Sequence, residues 1–76
     1  MVVKQLKELF ESKREVIFKL YSLEYIIKEV DNKIAVYPIL YETKKSLFDS
    51  FEEALNNYTV YNESIIDNID RLIILK

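Results

Sequence analysis

Everything about the architecture turns on Ile26–Ile39, IIKEVDNKIAVYPI. An apolar run ends at Val30, Asp31-Asn32 follows, and the chain then alternates from Ile34 to Pro38. Asp and Asn tolerate positive φ, so the pair suits a two-residue turn between two antiparallel strands. Pro38 has no amide proton to give to a ladder, which puts the return strand at a sheet edge or a bulge there. Read this way, the protein is α+β.

Upstream, Val16, Phe18 and Leu20 alternate with Glu15, Ile17 and Lys19, as a half-buried strand does. Past Tyr21-Ser22 the apolar set moves to odd numbers, Leu23, Tyr25 and Ile27, with Glu24 and Lys28 opposite. A side-chain period of two cannot change face without an extra residue. A bulge or bend is therefore expected at Tyr21-Ser22, inside one strand spanning about 15–30. Before it, Val2, Val3, Leu6, Leu9 and Phe10 recur at helical spacing against Lys4, Lys7, Glu8 and Glu11, which predicts an amphipathic helix. Lys13 and Arg14 complement the dipole at its end. With Gly 0 in the chain, no glycine closes it.

Downstream, the return strand covers about 34–42 and a short third strand about 44–48, which gives a three-stranded antiparallel sheet. Asp49 or Ser50 caps a helix over about 50–57, with Glu52 and Glu53 in its first turn and Phe51, Ala54 and Leu55 facing inward. Asn56-Asn57 end it, and Tyr58–Tyr61 is extended. Asn62 then caps a last helix over about 62–73, carried by Ile65, Ile66, Ile69, Leu72 and Ile73. The run Leu72–Leu75 is too apolar for a free tail; it closes the core or meets another molecule.

A competing pattern makes the protein an all-α bundle with one long first helix, 2–30. Val2, Leu6, Leu9, Lys13, Val16, Leu20, Leu23, Ile27 and Val30 fall at alternating spacings of four and three, a heptad seam broken by Lys13. The lack of glycine suits helices better than tight turns. Against this, residues 16–41 are dense in Val, Ile, Tyr and Phe, which favour strands. The seam also leaves Ile17, Phe18, Tyr21, Tyr25 and Ile26 off its line, a heavy apolar load for a solvent face. The α+β reading is preferred.

Composition fits a single small domain over 1–76: 50% of residues are hydrophobic and 32% charged. A chain this short buries roughly 60% of its unfolded surface, so its core is marginal. With neither Cys nor His it has no disulfide, thiolate or imidazole ligand to reinforce that core, and help from a second subunit is plausible. The same absences remove the usual nucleophile–base pairs, and the lack of glycine removes phosphate-cradling loops. The acids Glu63, Asp67 and Asp70 could share one face of the last helix, but a solvated acidic face explains them. No cofactor or metal is expected, and no enzyme.

The net charge of −2 disfavours nucleic acid as a general partner. No run of eighteen apolar residues exists to span a membrane, the start lacks the apolar region of a secretory signal, and a cytoplasmic location is the default. Tyr is used 6 times, more than average; it brings large area at low entropy cost to an interface. The sequence thus reads as a small non-catalytic protein-interaction module of regulator or inhibitor type, binding an unidentified protein or itself as a homodimer. Its interface candidates are Tyr37, Tyr41, Tyr58, Tyr61, Leu72 and Ile73. The alternatives are a nucleic-acid binder using Lys13, Arg14, Lys44, Lys45 and exposed tyrosines, or an acidic mimic of nucleic acid.

Overall fold

A computed structural model describes residues 2–75, and of Val2 the backbone alone. The helix Val2–Lys13 (α1) leads into Glu15–Leu20 (β1), Leu23–Val30 (β2) and Lys33–Pro38 (β3). A 3-10 segment, Ile39–Lys44, precedes Ser46–Phe48 (β4) and the helix Phe51–Asn57 (α2). A two-stranded hairpin of Thr59–Val60 (β5) and Glu63–Ser64 (β6) follows, then a second 3-10 segment, Ile66–Arg71, and Ile73–Ile74 (β7). The main sheet is antiparallel with five strands in the order β4-β3-β2-β1-β7.

The α+β expectation holds, with more sheet than the three strands foreseen, and the helix over 2–30 does not form. Its apolar load explains why. In the sheet, Phe18 and Tyr25 point to the core while Ile17 and Ile26 go to the other side, so two faces share what one helix would have exposed. The change of face at Tyr21-Ser22 is real, but its cause is a turn and not a bulge. Tyr21 and Ser22 have φ of 53° and 66°, Asp31 and Asn32 51° and 67°, Tyr61 and Asn62 54° and 68°. Positive φ at both central residues marks the primed turn that matches strand twist. A two-residue turn pairs Leu20 with Leu23, an even with an odd position, which is the observed switch.

Glycine is thus replaced, not avoided. Arg14 adopts φ 60° one residue beyond α1, and its amide donates to the Phe10 carbonyl at 2.7 Å, the left-handed closure glycine usually makes. Asn32 and Asn62 tolerate this region; Ser22, Tyr21, Tyr61 and Arg14 do so at a cost of about 1–2 kcal/mol each.

Three further boundaries differ. The strand expected over 34–42 ends at Pro38, whose imide cannot extend the ladder, and 39–44 coils into the 3-10 segment. The third strand shortens to 46–48. No helix spans 62–73: Asn62 sits in a turn, where its tolerance of positive φ outweighs its capping tendency. The helical spacing of Ile65, Ile66 and Ile69 is used by a single 3-10 segment, and the last apolar run becomes an edge strand. Helix α2 follows expectation, since Ser50 Oγ accepts from the Glu53 amide at 3.1 Å as an N-cap does.

The core lies between the sheet and the two α-helices. Leu6 and Phe10 of α1 and Phe51, Ala54 and Leu55 of α2 meet Val16, Phe18, Leu20, Tyr25, Ile27, Ile34 and Val36 of the sheet, with Val60, Ile65 and Leu72 filling the remaining end. Phe10 and Phe51 stack at 4.8 Å between ring centroids, joining the helices. Each of the larger aliphatic and phenylalanine side chains removed from water contributes roughly 1.5–3 kcal/mol. The exposed pair Lys7–Glu52, at 3.4 Å, adds little by comparison.

Candidate interaction surface

Among the described residues both α-helices lie on one side of the sheet, and the other side carries none. The register fixes what stands there. Ile17 pairs with Ile26, and Ile26 with Tyr37, while the Leu75 amide donates to the Ile17 carbonyl at 2.9 Å. Leu75 continues the alternation set by Ile74, which packs on the core. An apolar row of Tyr37, Ile26, Ile17 and Leu75 therefore crosses from β3 to the β7 edge. On one side of it Ala35 pairs with Leu47, and on the other Ile73 pairs with Lys19.

Ile26 and Ala35 are buried but do not belong to the main core cluster; their neighbours on this outer face shield them. At the margins the apolar side chains are open, with Leu47 58%, Ile73 57% and Leu75 42% exposed. The charges on this face stand in opposite-sign cross-strand pairs: Glu15 with Lys28, and Lys19 with Glu24. Lys33 bonds Asp49 in the same way, and that carboxylate raises the lysine's pKa. No single sign dominates the face.

The six interface candidates separate on the structure. Tyr37 lies on the outer face beneath the Lys45 ammonium, 5.9 Å from the ring centroid. Tyr41, in the 3-10 segment after β3, is exposed with Lys44 at 5.5 Å. Ile73 belongs to the outer face. Leu72 is buried in the core. Tyr58 is half-buried, in edge-on contact with Tyr25 at 6.2 Å and Phe48 at 6.5 Å, and burial pushes its hydroxyl pKa up to about 12. Burial raises the Tyr25 pKa as well, with Tyr61 adding to it.

Tyr61 is 77% exposed at the tip of the β5–β6 hairpin, yet its ring also has a partner within the fold. It meets Tyr21 edge-on at 5.0 Å, so the turn of the β5–β6 hairpin rests on the β1–β2 turn. The Tyr21 hydroxyl donates to Asn68 Oδ1 at 2.8 Å. Asn68 is fully buried, and its Nδ2 donates to the carbonyls of Ser64 at 3.0 Å and Glu63 at 3.4 Å.

Other arrangements that could carry chemistry are weak. Glu63, in β6, sits 3.7 Å from Arg71, and Asp67 and Asp70 lie in the 3-10 segment, so helical spacing no longer relates the three. Among the described residues no group of three His, Cys, Asp or Glu could hold a metal, and no buried side-chain polar atom lacks a partner. The groove between the helices, about 210 Å³, is lined by Phe10, Ile34 and Phe51 with Lys7, Arg14, Glu29 and Glu52 among its charges. Glu52 is held below the usual carboxylate range by its backbone amide and Lys7, which is the chemistry of a capped helix start. Among the described residues no helix is long and apolar enough to cross a membrane.

Sequence reasoning missed Ile17, Ile26, Leu47 and Leu75 as one surface. The signal was present in the alternation, but it needed the true turn at Tyr21-Ser22 and the fifth strand to align the rows. Compared with protein-family models, curated proteins and solved structures, the chain matches none.

Proposed function

We propose that this chain is a small non-catalytic protein-interaction module whose working surface is the outer face of its main sheet. The apolar row crossing that face from Tyr37 to Leu75, with Leu47 and Ile73 open at its margins, carries the reading. Exposed apolar groups rimmed by polar residues, as Leu47, Ile73 and Leu75 are here, mark interaction surfaces. Paired charges around an apolar centre resemble the polar rim of a protein interface. A regulator or inhibitor of this kind acts by occupying a partner's surface.

A photo-crosslinking amino acid in place of Leu47, in producing cells, tests this. Adducts at position 47, absent when the same group replaces exposed Thr59 or Glu11, are expected. Equal adducts from all three positions, or none from position 47, would remove the reading.

A second reading has one observation in its favour: Lys44 and Lys45 stand over Tyr41 and Tyr37 at one end of the sheet. Such pairs can stack on bases and meet phosphate. Fluorescence anisotropy with single- and double-stranded oligonucleotides at low salt decides it. Binding that weakens steeply with salt supports this alternative, and a flat titration ends it.

A further inference from the structure

We infer that the partner covering the outer face is a second copy of this chain, stacked sheet on sheet about a two-fold axis. This rests on the preceding reading of the face as a docking surface. Two observations favour a copy over another occupant.

The first is charge. The face interleaves Lys19, Lys28, Lys33 and Lys45 with Glu15, Glu24 and Asp49, each facing an opposite charge across the strands or, for Lys45, Glu42 at 4.0 Å. A polyanion or an anionic bilayer would require an excess of one sign. A face with mixed signs meets itself without repulsion, because a two-fold operation can set a lysine of one copy beside an acid of the other.

The second is shape and area. Five strands about 4.8 Å apart, of 6, 8, 6, 3 and 2 residues, give about 400 Å² of flat area. The whole molecule measures 29 × 27 × 20 Å, so one broad face is all it can offer. Standard interfaces cover about 800 Å² on each partner, and side-chain relief brings this face only to the small end of that class. A twisted sheet finds its best complement in another sheet of the same twist, about 10 Å away and inclined by about 30°. The dimer is therefore concentration-dependent, with the apolar rows of both copies crossing at its centre.

Sedimentation equilibrium of the full chain, from low-micromolar to near-millimolar concentration, tests the inference. We expect a monomer–dimer equilibrium little changed by salt, because its attraction is apolar. Leu47→Lys and Ile73→Lys, both at exposed positions, should each weaken it at least about tenfold while the circular dichroism spectrum stays native. Leu40→Lys, at an exposed position in the 3-10 segment Ile39–Lys44, should leave it unchanged. If one face variant loses its fold, the other still decides. A wild-type chain monomeric throughout overturns the inference, as does a dimer broken by Leu40→Lys and not by the face variants. The docking reading has its own outcome. A monomeric chain that still forms adducts with a different protein at position 47 keeps the face and loses only the self-association.

Discussion

Replacing Asn68 tests whether one buried amide joins the two halves of the molecule. Its side chain is fully buried and makes a bond to Tyr21 on the β1–β2 turn and two to the carbonyls of Glu63 and Ser64 in β6. Each bond contributes about 1 kcal/mol net, less for the 3.4 Å contact and less for the Tyr21 hydroxyl, which can turn to water. The small cavity left by alanine adds to the loss. Asn68→Ala should thus destabilise by ~2–3 kcal/mol, a large part of the ~4–11 kcal/mol available to a domain of this size. In a thermal melt that is a fall of roughly 10–20 °C. Tyr21→Phe removes one of the three bonds and should cost no more than about 1 kcal/mol. Asn68→Leu keeps the volume but leaves both carbonyls without a donor, and should be at least as damaging as alanine. Urea denaturation followed by tyrosine fluorescence gives all three values. A loss below that of Tyr21→Phe for Asn68→Ala, or a neutral Asn68→Leu, would refute the reasoning.

Other perturbations follow from the backbone and the core. Ser22→Gly relieves a left-handed residue that makes no side-chain hydrogen bond among the described residues, and should raise stability by about 1 kcal/mol in a calorimetric melt; no gain would show that the turn is unstrained. Ser50→Ala removes the cap on the Glu53 amide and should cost about 1 kcal/mol, with a native spectrum retained. The folded chain holds the Tyr58 proton up to about 12, whereas an unfolded tyrosine releases it near 10. That contribution is whole below pH ~10 and is lost as pH rises through ~12, so Tyr58→Phe should flatten the alkaline fall in stability; an identical fall in both proteins would contradict it. Leu72→Asp places a charge in the core and should unfold the chain, where Ile73→Lys should not; circular dichroism of the two separates the buried from the exposed position.

The parts of this fold legible in the sequence were those where a period ran unbroken for more than one turn or several strand residues. The helix α1 and the alternation of Val16, Phe18 and Leu20 belong to that class, while the Asp31-Asn32 turn and the Ser50 cap are legible from residue type alone. The failures have two physical roots. Turn prediction leans on glycine, and this chain places Arg, Tyr, Ser, Asp and Asn in the left-handed region instead. Local residue types therefore suggest a bulge or bend where the β1–β2 turn lies, and a helix cap at Asn62. The last apolar run was recognised as too hydrophobic to hang free, yet its two-residue pairing with β1 depends on long-range contacts that no local pattern reveals. The outer face was hidden for the same reason, since Ile17, Ile26 and Tyr37 become one row only when the registers of three strands are known.

The sheet order β4-β3-β2-β1-β7 also implies a sequence of events. Strands β1 to β4 form a meander in which each pairs with its neighbour in the chain, so these contacts close over short loops and can form in microseconds to milliseconds. The pairing of Phe18 with Ile74 has no such advantage, because nearly the whole chain must be gathered before it forms. Until then the free edge of β1 presents unpaired amides beside Ile17 and Phe18, the type of edge on which chains join in the wrong register. The short strand β7 thus acts as a late-arriving cover, and the interval before it docks is when this protein is most exposed to aggregation.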